Sequence, residues 1–202
     1  MLKAQVMRRQ PELYSYVVEH DTGHAPNPYF RVCTLCRCKY RKSDKKPRNV
    51  VELAEEGDWI VGTGGADKRK TAGHGKLVYA MRVDEILTRA EYYADRRFSQ
   101  KKRRRAGNYA DTRGDNLVPA SRFEEHQRVL VSRHFYYFGA NAIRIPKRFS
   151  YLEKRGPGFK RKFTPEQISS FVEWLEGKHR PGKQGEPCMS RADGRMRCGS
   201  SC

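Results

Sequence analysis

No apolar run in this 202-residue chain approaches the ~20 residues that a membrane-spanning helix requires. The opening segment, MLKAQVMRRQPELYSYVV, also lacks the uninterrupted apolar stretch of a secretory signal, so a cytoplasmic location is expected. Negative charge is scarce: 23 Asp and Glu stand against 42 Lys and Arg, which leaves a net charge of +19. Such an excess repels itself in a compact chain, and a polyanionic partner is its simplest account. With no spanning segment, that partner is read as a nucleic acid, DNA rather than RNA, or a free nucleotide, and not a membrane.

The usual nucleotide signatures are missing too. A P-loop needs two spaced glycines followed by Lys and Ser or Thr, so that backbone N–H groups and the lysine converge on phosphates. Here Gly75-Lys76 is followed by Leu77. No GxGxxG opens a helix, the strand–helix alternation of a doubly wound fold is absent, and no repeat has a fixed period. Hydrophobic residues make up only 37% of the chain, but 11 Tyr, 9 Phe and 2 Trp can build a core among them. A chain of this length buries roughly 70% of the surface its unfolded form exposes, so it needs no covalent staples. Without a secretory route, the six cysteines are expected to be reduced thiols.

What is present reads as α+β: a small twisted sheet or barrel-like core with a few packing helices. Residues 13–19 have the β-branched and aromatic content of a strand, and residues 20–28 (HDTGHAPNP) form a loop dense in turn formers. A short helical turn over 50–56 stops at Gly57, and DWIVG then reads as a strand. Residues 76–83 alternate, with Leu77, Tyr79, Met81 and Val83 on one face. Residues 85–93 are read as helical, and residues 128–138 (RVLVSRHFYYF) as one strand that continues at 142–145 after Gly139. Thr164 with Pro165 and Gln167 opens a helix whose stripe is Ile168, Phe171, Val172 and Leu175. The domain is expected to span 1–178, with a basic insertion near 96–113 and a disordered basic tail over 179–202.

Several segments carry candidate chemistry. The glycine-rich stretch from Gly62 to Gly75 is a turn between strands, and its backbone N–H groups beside Lys68, Arg69 and Lys70 could hold a phosphate. Seven of the ten residues 96–105 are basic, and phosphate contacts are assigned to Lys68, Arg69, Lys101, Lys102, Arg103, Arg104 and Arg105. If 128–138 is one strand, His134, Tyr136 and Phe138 share a face on which His and Tyr could stack on a base, or that face is core. Asn27, Trp59, Thr63, Gly64, Asn116, His134 and Tyr136 are the expected base or nucleotide contacts. Candidates for chemistry are Asp21, Cys33, Asp115 and His134: Cys33 and Cys38 have cations nearby in sequence, and an Asp–His pair can do acid–base work. Cys33, Cys36 and Cys38 with His20 and His24 could supply zinc ligands, but no second knuckle pairs with them. No metal or cofactor is therefore assigned.

Six segments together resemble the family of nucleotide-modification-associated domains of the second type, found in bacteria and their viruses. They are YSYVVEHDTGHAPNP (14–28), CTLCRCK (33–39), GDWIVGTGG (57–65), KLVYAMRV (76–83), GDNL (114–117) and SRHFYYFGANAIRIP (132–146). The resemblance implies association with systems that alter nucleotides or DNA bases, and brings no assigned catalytic residue. GDWIVGTGG followed by an alternating strand is also similar to the core of PUA-like domains, small twisted barrels with an aromatic-lined pocket for modified bases. Three functions follow: a module gripping a modified base in an aromatic pocket, an enzyme of nucleotide or base modification, or a protein-interaction component of such a system.

Overall fold

The computed structural model describes residues 9–36, 49–101 and 127–189, and the backbone alone of 191–192 and 195–196. β-Branched and aromatic residues dominate the central strands of a seven-stranded mixed sheet, as a half-buried pleated surface favours. β1 (Leu13–Val18) runs parallel to β3 (Trp59–Gly64), which pairs antiparallel with β4 (Lys76–Arg82). β4 pairs in turn with β7 (Phe135–Tyr137) and, at its beginning, with β8 (Ile143–Arg144). The edges are β9 (Phe159–Lys160), antiparallel to β1, and β10 (Gly182–Lys183), parallel to β7. The path does not return on itself, so the sheet is twisted and open rather than a closed barrel. A second sheet stacks β2 (Cys33–Leu35), β6 (Arg128–Ser132) and β5 (Glu85–Thr88) antiparallel.

Period-2 alternation sorts the side chains into layers. Phe135 and Tyr137 of β7 join Tyr16, Tyr79, Leu35 and Leu130 in a core between the two sheets. Tyr136 turns the other way and, with Phe138, Trp59 and Val61, packs beneath α3 (Pro165–Lys178). That helix begins where its sequence says it should: Thr164 and Gln167 close a capping box and Pro165 starts the first turn. Ile168, Phe171 and Leu175 form its buried stripe, each contributing about 1.5–3 kcal/mol by burial. On the far side of the second sheet, Val129 and Val131 pack against Tyr92 and Phe98, where α2 (Arg89–Ala94) lies. α1 (Val50–Leu53) closes one end of the inter-sheet core, capped by Asn49. No helix among the described residues is long and apolar enough to cross a membrane.

Four expectations change. Residues 128–138 are two strands in different sheets, not one: the chain turns at Arg133–His134, whose N–H groups both donate to Asp84 Oδ2, at 2.7 and 3.0 Å. Residues 85–88 are a strand, because the capping box of Thr88 with Glu91 starts the helix only at Arg89. Leu77 does not share a face with Tyr79 and Met81. A register shift opposite Gly62 and Thr63 turns it toward α3, and Gly62 leaves room for the Tyr79 ring. Residues 179–189 are built into the fold. β10 adds to β7, Gln184 N–H donates to Tyr137 O at 2.7 Å, and Cys188 is buried. Glycine decides the last point: a Cβ on Gly185 would lie 1.9 Å from Phe138 O, so only glycine lets the segment dock.

The buried phenols give this packing a pH signature. Burial, first among the causes in each case, raises Tyr14, Tyr136, Tyr137 and Tyr151 above an ordinary tyrosine. The unfolded chain releases these protons at a lower pH than the folded one does, so their contribution is complete below about pH 10 and lost as pH rises beyond it. The urea midpoint is therefore expected to drop steeply above about pH 10. A midpoint level through that range would mean that the hydroxyls are reached by water.

Candidate functional site

β1 and β3 run parallel and end side by side, with Val18 opposite Gly64. Space beyond the carboxyl ends of parallel strands is where open sheets bind ligands. A cleft of about 360 Å³ opens there. Glu19 and His20 enter it directly after β1, and Gly65, Ala66, Asp67, Lys70 and His74 come from the loop after β3. Arg155 and Gly156 close it from the loop that leads into β9.

The loop after β3 folds back on its own strand. Its return passes so close that a Cβ on Gly64 would stand 2.0 Å from Gly73 O, and Gly73 itself has φ +89°. Gly65 N–H donates to Thr71 Oγ1 at 3.4 Å, while Lys70 and Thr71 N–H donate to Asp67 O at 3.0 and 3.1 Å. The Asp67 carboxylate accepts from Arg69 Nε at 3.1 Å and lies 3.4 Å from Lys70 Nζ. Hydrogen bonding from Arg69 holds the Asp67 carboxyl down at about 2, so it is ionised throughout the physiological range.

Asp21 fixes this loop from behind. Its N–H donates to Lys70 O at 2.8 Å and its carbonyl accepts from Met189 N–H at 2.8 Å. Its carboxylate accepts from the Tyr137 hydroxyl and, at 3.0 Å, from Cys188 N–H. Burial raises the Asp21 carboxyl, while these donors and Gly23 N–H pull it back. At 1% exposure it touches no ligand space. Asp21, expected as a reagent, is a positioning residue that ties the loop to β7 and to the 186–189 segment.

The other expected site residues divide. His134, Trp59 and Tyr136 do meet: His134 is 5.6 Å from each ring, edge on. They do not form an open pocket, because Trp59 and Tyr136 are 4% and 1% exposed under α3, and His134 Nε2 is bound to Glu176 Oε1 at 2.8 Å. Asp21 and Cys33 lie across the sheet from His134, on the inter-sheet side with Tyr137, so these candidates do not share one site. Thr63 donates to Tyr16 O and Gly64 packs on Gly73, so both are structural. Asn27 is buried and accepts, through O and Oδ1, from Lys101 Nζ at 3.0 and 2.6 Å. Lys101 is thus an internal strut rather than a phosphate contact. Lys68 and Arg69 are exposed on the cleft loop. Cys33 and Cys36 are buried, and among the described residues no group of three or more His, Cys, Asp or Glu is placed to hold a metal. Asp115, Asn116, Lys102, Arg103, Arg104, Arg105 and Cys38 lie outside the described residues.

His74, Glu19 and Arg155 were not singled out from the sequence, and His20 only as a zinc ligand. The pairing of β9 with β1 brings Arg155 to Glu19, a meeting of segments with no local signal between them. The model of nucleotide modification associated domain 2 matches the chain over residues 10–126 and 119–194. No curated protein and no solved structure matches it.

Proposed function

The chain belongs to the family of nucleotide modification associated domain 2, and from that premise we propose that it binds a phosphate-bearing nucleotide in the cleft beyond β1 and β3. The observation that carries this is the convergence of Lys70, Arg155, His20 and His74 on one opening, at the end of a parallel strand pair and beside a glycine loop. The cleft's volume of about 360 Å³ lies within the ~300–1,000 Å³ range of small-molecule sites. Lysine and arginine are the side chains suited to phosphate oxygens, Lys as a compact charge and Arg as a fork. A base gripped between Trp59 and Tyr136 is not part of this reading, since those rings are core.

Replacing Lys70 by alanine is expected to weaken a deoxynucleoside monophosphate about tenfold, the worth of one charge-assisted hydrogen bond at its low end. Calorimetric titration checks this, with the matching nucleoside as the control that lacks the phosphate. Equal affinity for nucleoside and nucleotide, or an unaffected variant, would remove the reading. The thermal midpoint should hardly change, because among the described residues the Lys70 amine pairs with the partly exposed Asp67 alone.

Chemistry on the nucleotide is a second reading, favoured by His20 and His74 lining the same cleft beside Glu19. Imidazole is the side chain that gives and takes protons near neutrality. His74→Gln should then abolish product formation from a labelled deoxynucleotide and retain its binding. Turnover that survives both His20→Gln and His74→Gln excludes them as the acid–base pair.

A further inference from the structure

Residues 154–162 (KRGPGFKRK) hold five cations and no carboxylate. Arg155, Lys160, Arg161 and Lys162 are exposed, and none of the five forms an ion pair with a carboxylate among the described residues. Lys154 and Lys160 donate instead to backbone carbonyls, of Arg155 at 2.7 Å and Tyr151 at 2.9 Å. Several cations elsewhere are neutralised, Arg9 by Asp58, Arg82 by Asp84, Arg97 by Glu85, Arg128 by Glu55 and Lys183 by Glu186, and the run is set apart by five cations within nine positions. A run of like charge left unneutralised repels itself in the folded state, so it calls for a polyanion. Its tip is open as well: Gly156 and Gly158 have φ +72° and +88°, and a Cβ on either would meet nothing within 4 Å.

The placement adds direction. Arg155 and Gly156 line the cleft, and β9 then runs antiparallel to β1, leading Lys160, Arg161 and Lys162 away from it along the sheet edge. At roughly 3.3 Å per extended residue, Arg155 to Lys162 covers at most about 23 Å, room for several phosphates of one strand. We propose that this loop, with β9 and the residues after it, is a phosphate track continuous with the cleft, so that the ligand is a nucleotide within a single strand of DNA rather than a free nucleotide. The inference rests on the cleft binding the nucleotide. A base inside a duplex would have to leave its stack to enter, at a few kcal/mol, which favours the single strand.

The test uses the full chain and a Lys160→Gln/Arg161→Gln/Lys162→Gln variant, with a fluorescent oligothymidylate followed by anisotropy across a salt series and dTMP followed by calorimetry. The variant should bind the oligonucleotide about 30-fold more weakly, with a log–log salt slope shallower by about 2, as the loss of three phosphate contacts on a single strand implies. Its dTMP affinity should be unchanged. Unchanged oligonucleotide affinity and slope, with dTMP still bound, would overturn the track and spare the cleft, as would a variant that merely self-associates, since edge cations also block strand pairing. Absence of dTMP binding by the wild-type chain would sink the cleft reading, and the track with it. Preference for a duplex, or capture by phosphatidylserine vesicles that depends on Lys160, Arg161 and Lys162 without oligonucleotide binding, would also overturn the track. Should the triple variant fold poorly, Arg161→Gln/Lys162→Gln, beyond the paired residues of β9, gives the same reading with a smaller change.

Discussion

Replacing Asp21 by alanine is expected to destabilise the domain by about 3 kcal/mol and to weaken nucleotide binding, although Asp21 touches no ligand. Its carboxylate accepts hydrogen bonds from the Tyr137 hydroxyl, Cys188 N–H and Gly23 N–H in a buried site. Removing the acceptor leaves these donors without a partner and out of water, at about 1–3 kcal/mol each and not additively. Its main-chain bonds to Lys70 O and Met189 N–H survive the substitution, but the side-chain anchor to Tyr137 and Cys188 that holds this backbone in place is lost, so the cleft loop loosens with it. Lys70→Ala behaves in the opposite way, losing affinity and keeping stability, and the two variants together separate positioning from contact.

Asp21 also carries a pH term whose sign follows from its burial. Because burial raises its carboxyl in the folded state, the folded chain holds this proton more tightly than the unfolded chain does. The contribution is complete below the unfolded value of about 3.8 and is lost as the pH rises through the folded value. Asp21→Asn should remove that decline while keeping one acceptor oxygen in place. Urea titration across the acid range checks both statements. A loss below about 1 kcal/mol for the alanine variant would show that water reaches the orphaned donors.

The sequence was most legible where a signal is local. Thr164, Pro165 and Gln167 announce the start of α3 within four positions, and the apolar runs of β1, β3 and β4 read directly as strands. Legibility fails where a distant residue decides. The break between β6 and β7 falls inside an unbroken strand-like run, and it is made by Asp84, some 50 positions away. Lys101 stands in a run of basic residues and reads as a phosphate contact, yet its amine is consumed by Asn27 and Thr34. Tyr136 and Trp59 suit a core and a base-stacking surface equally well, and only the docking of α3 chooses between them. The glycine loop could be seen as a phosphate candidate from composition. Its position at the ends of two parallel strands, facing Arg155, comes from pairings that composition does not encode.

Gly64→Ala joins fold and site most directly. The added methyl would stand 2.0 Å from Gly73 O, 2.8 Å from its carbonyl carbon and 2.9 Å from its nitrogen. All three are backbone atoms, so no side-chain rotation relieves the clash, and the loop itself must move off β3. Overpacking of this kind costs about 1–3 kcal/mol and occasionally more, and a contact with main chain belongs at the upper end. Gly57→Ala supplies the contrast: its φ is +93° but a Cβ there meets nothing within 4 Å, so only backbone strain of about 1–2 kcal/mol is added. The two variants should therefore separate most clearly in ligand binding. Gly64→Ala displaces Gly65, Asp67 and Lys70 together and should abolish nucleotide affinity at a temperature where circular dichroism shows it folded, whereas Gly57→Ala should bind normally. Retained affinity in folded Gly64→Ala would mean that the loop after β3 does not shape the site, and the cleft would lose its claim to be one.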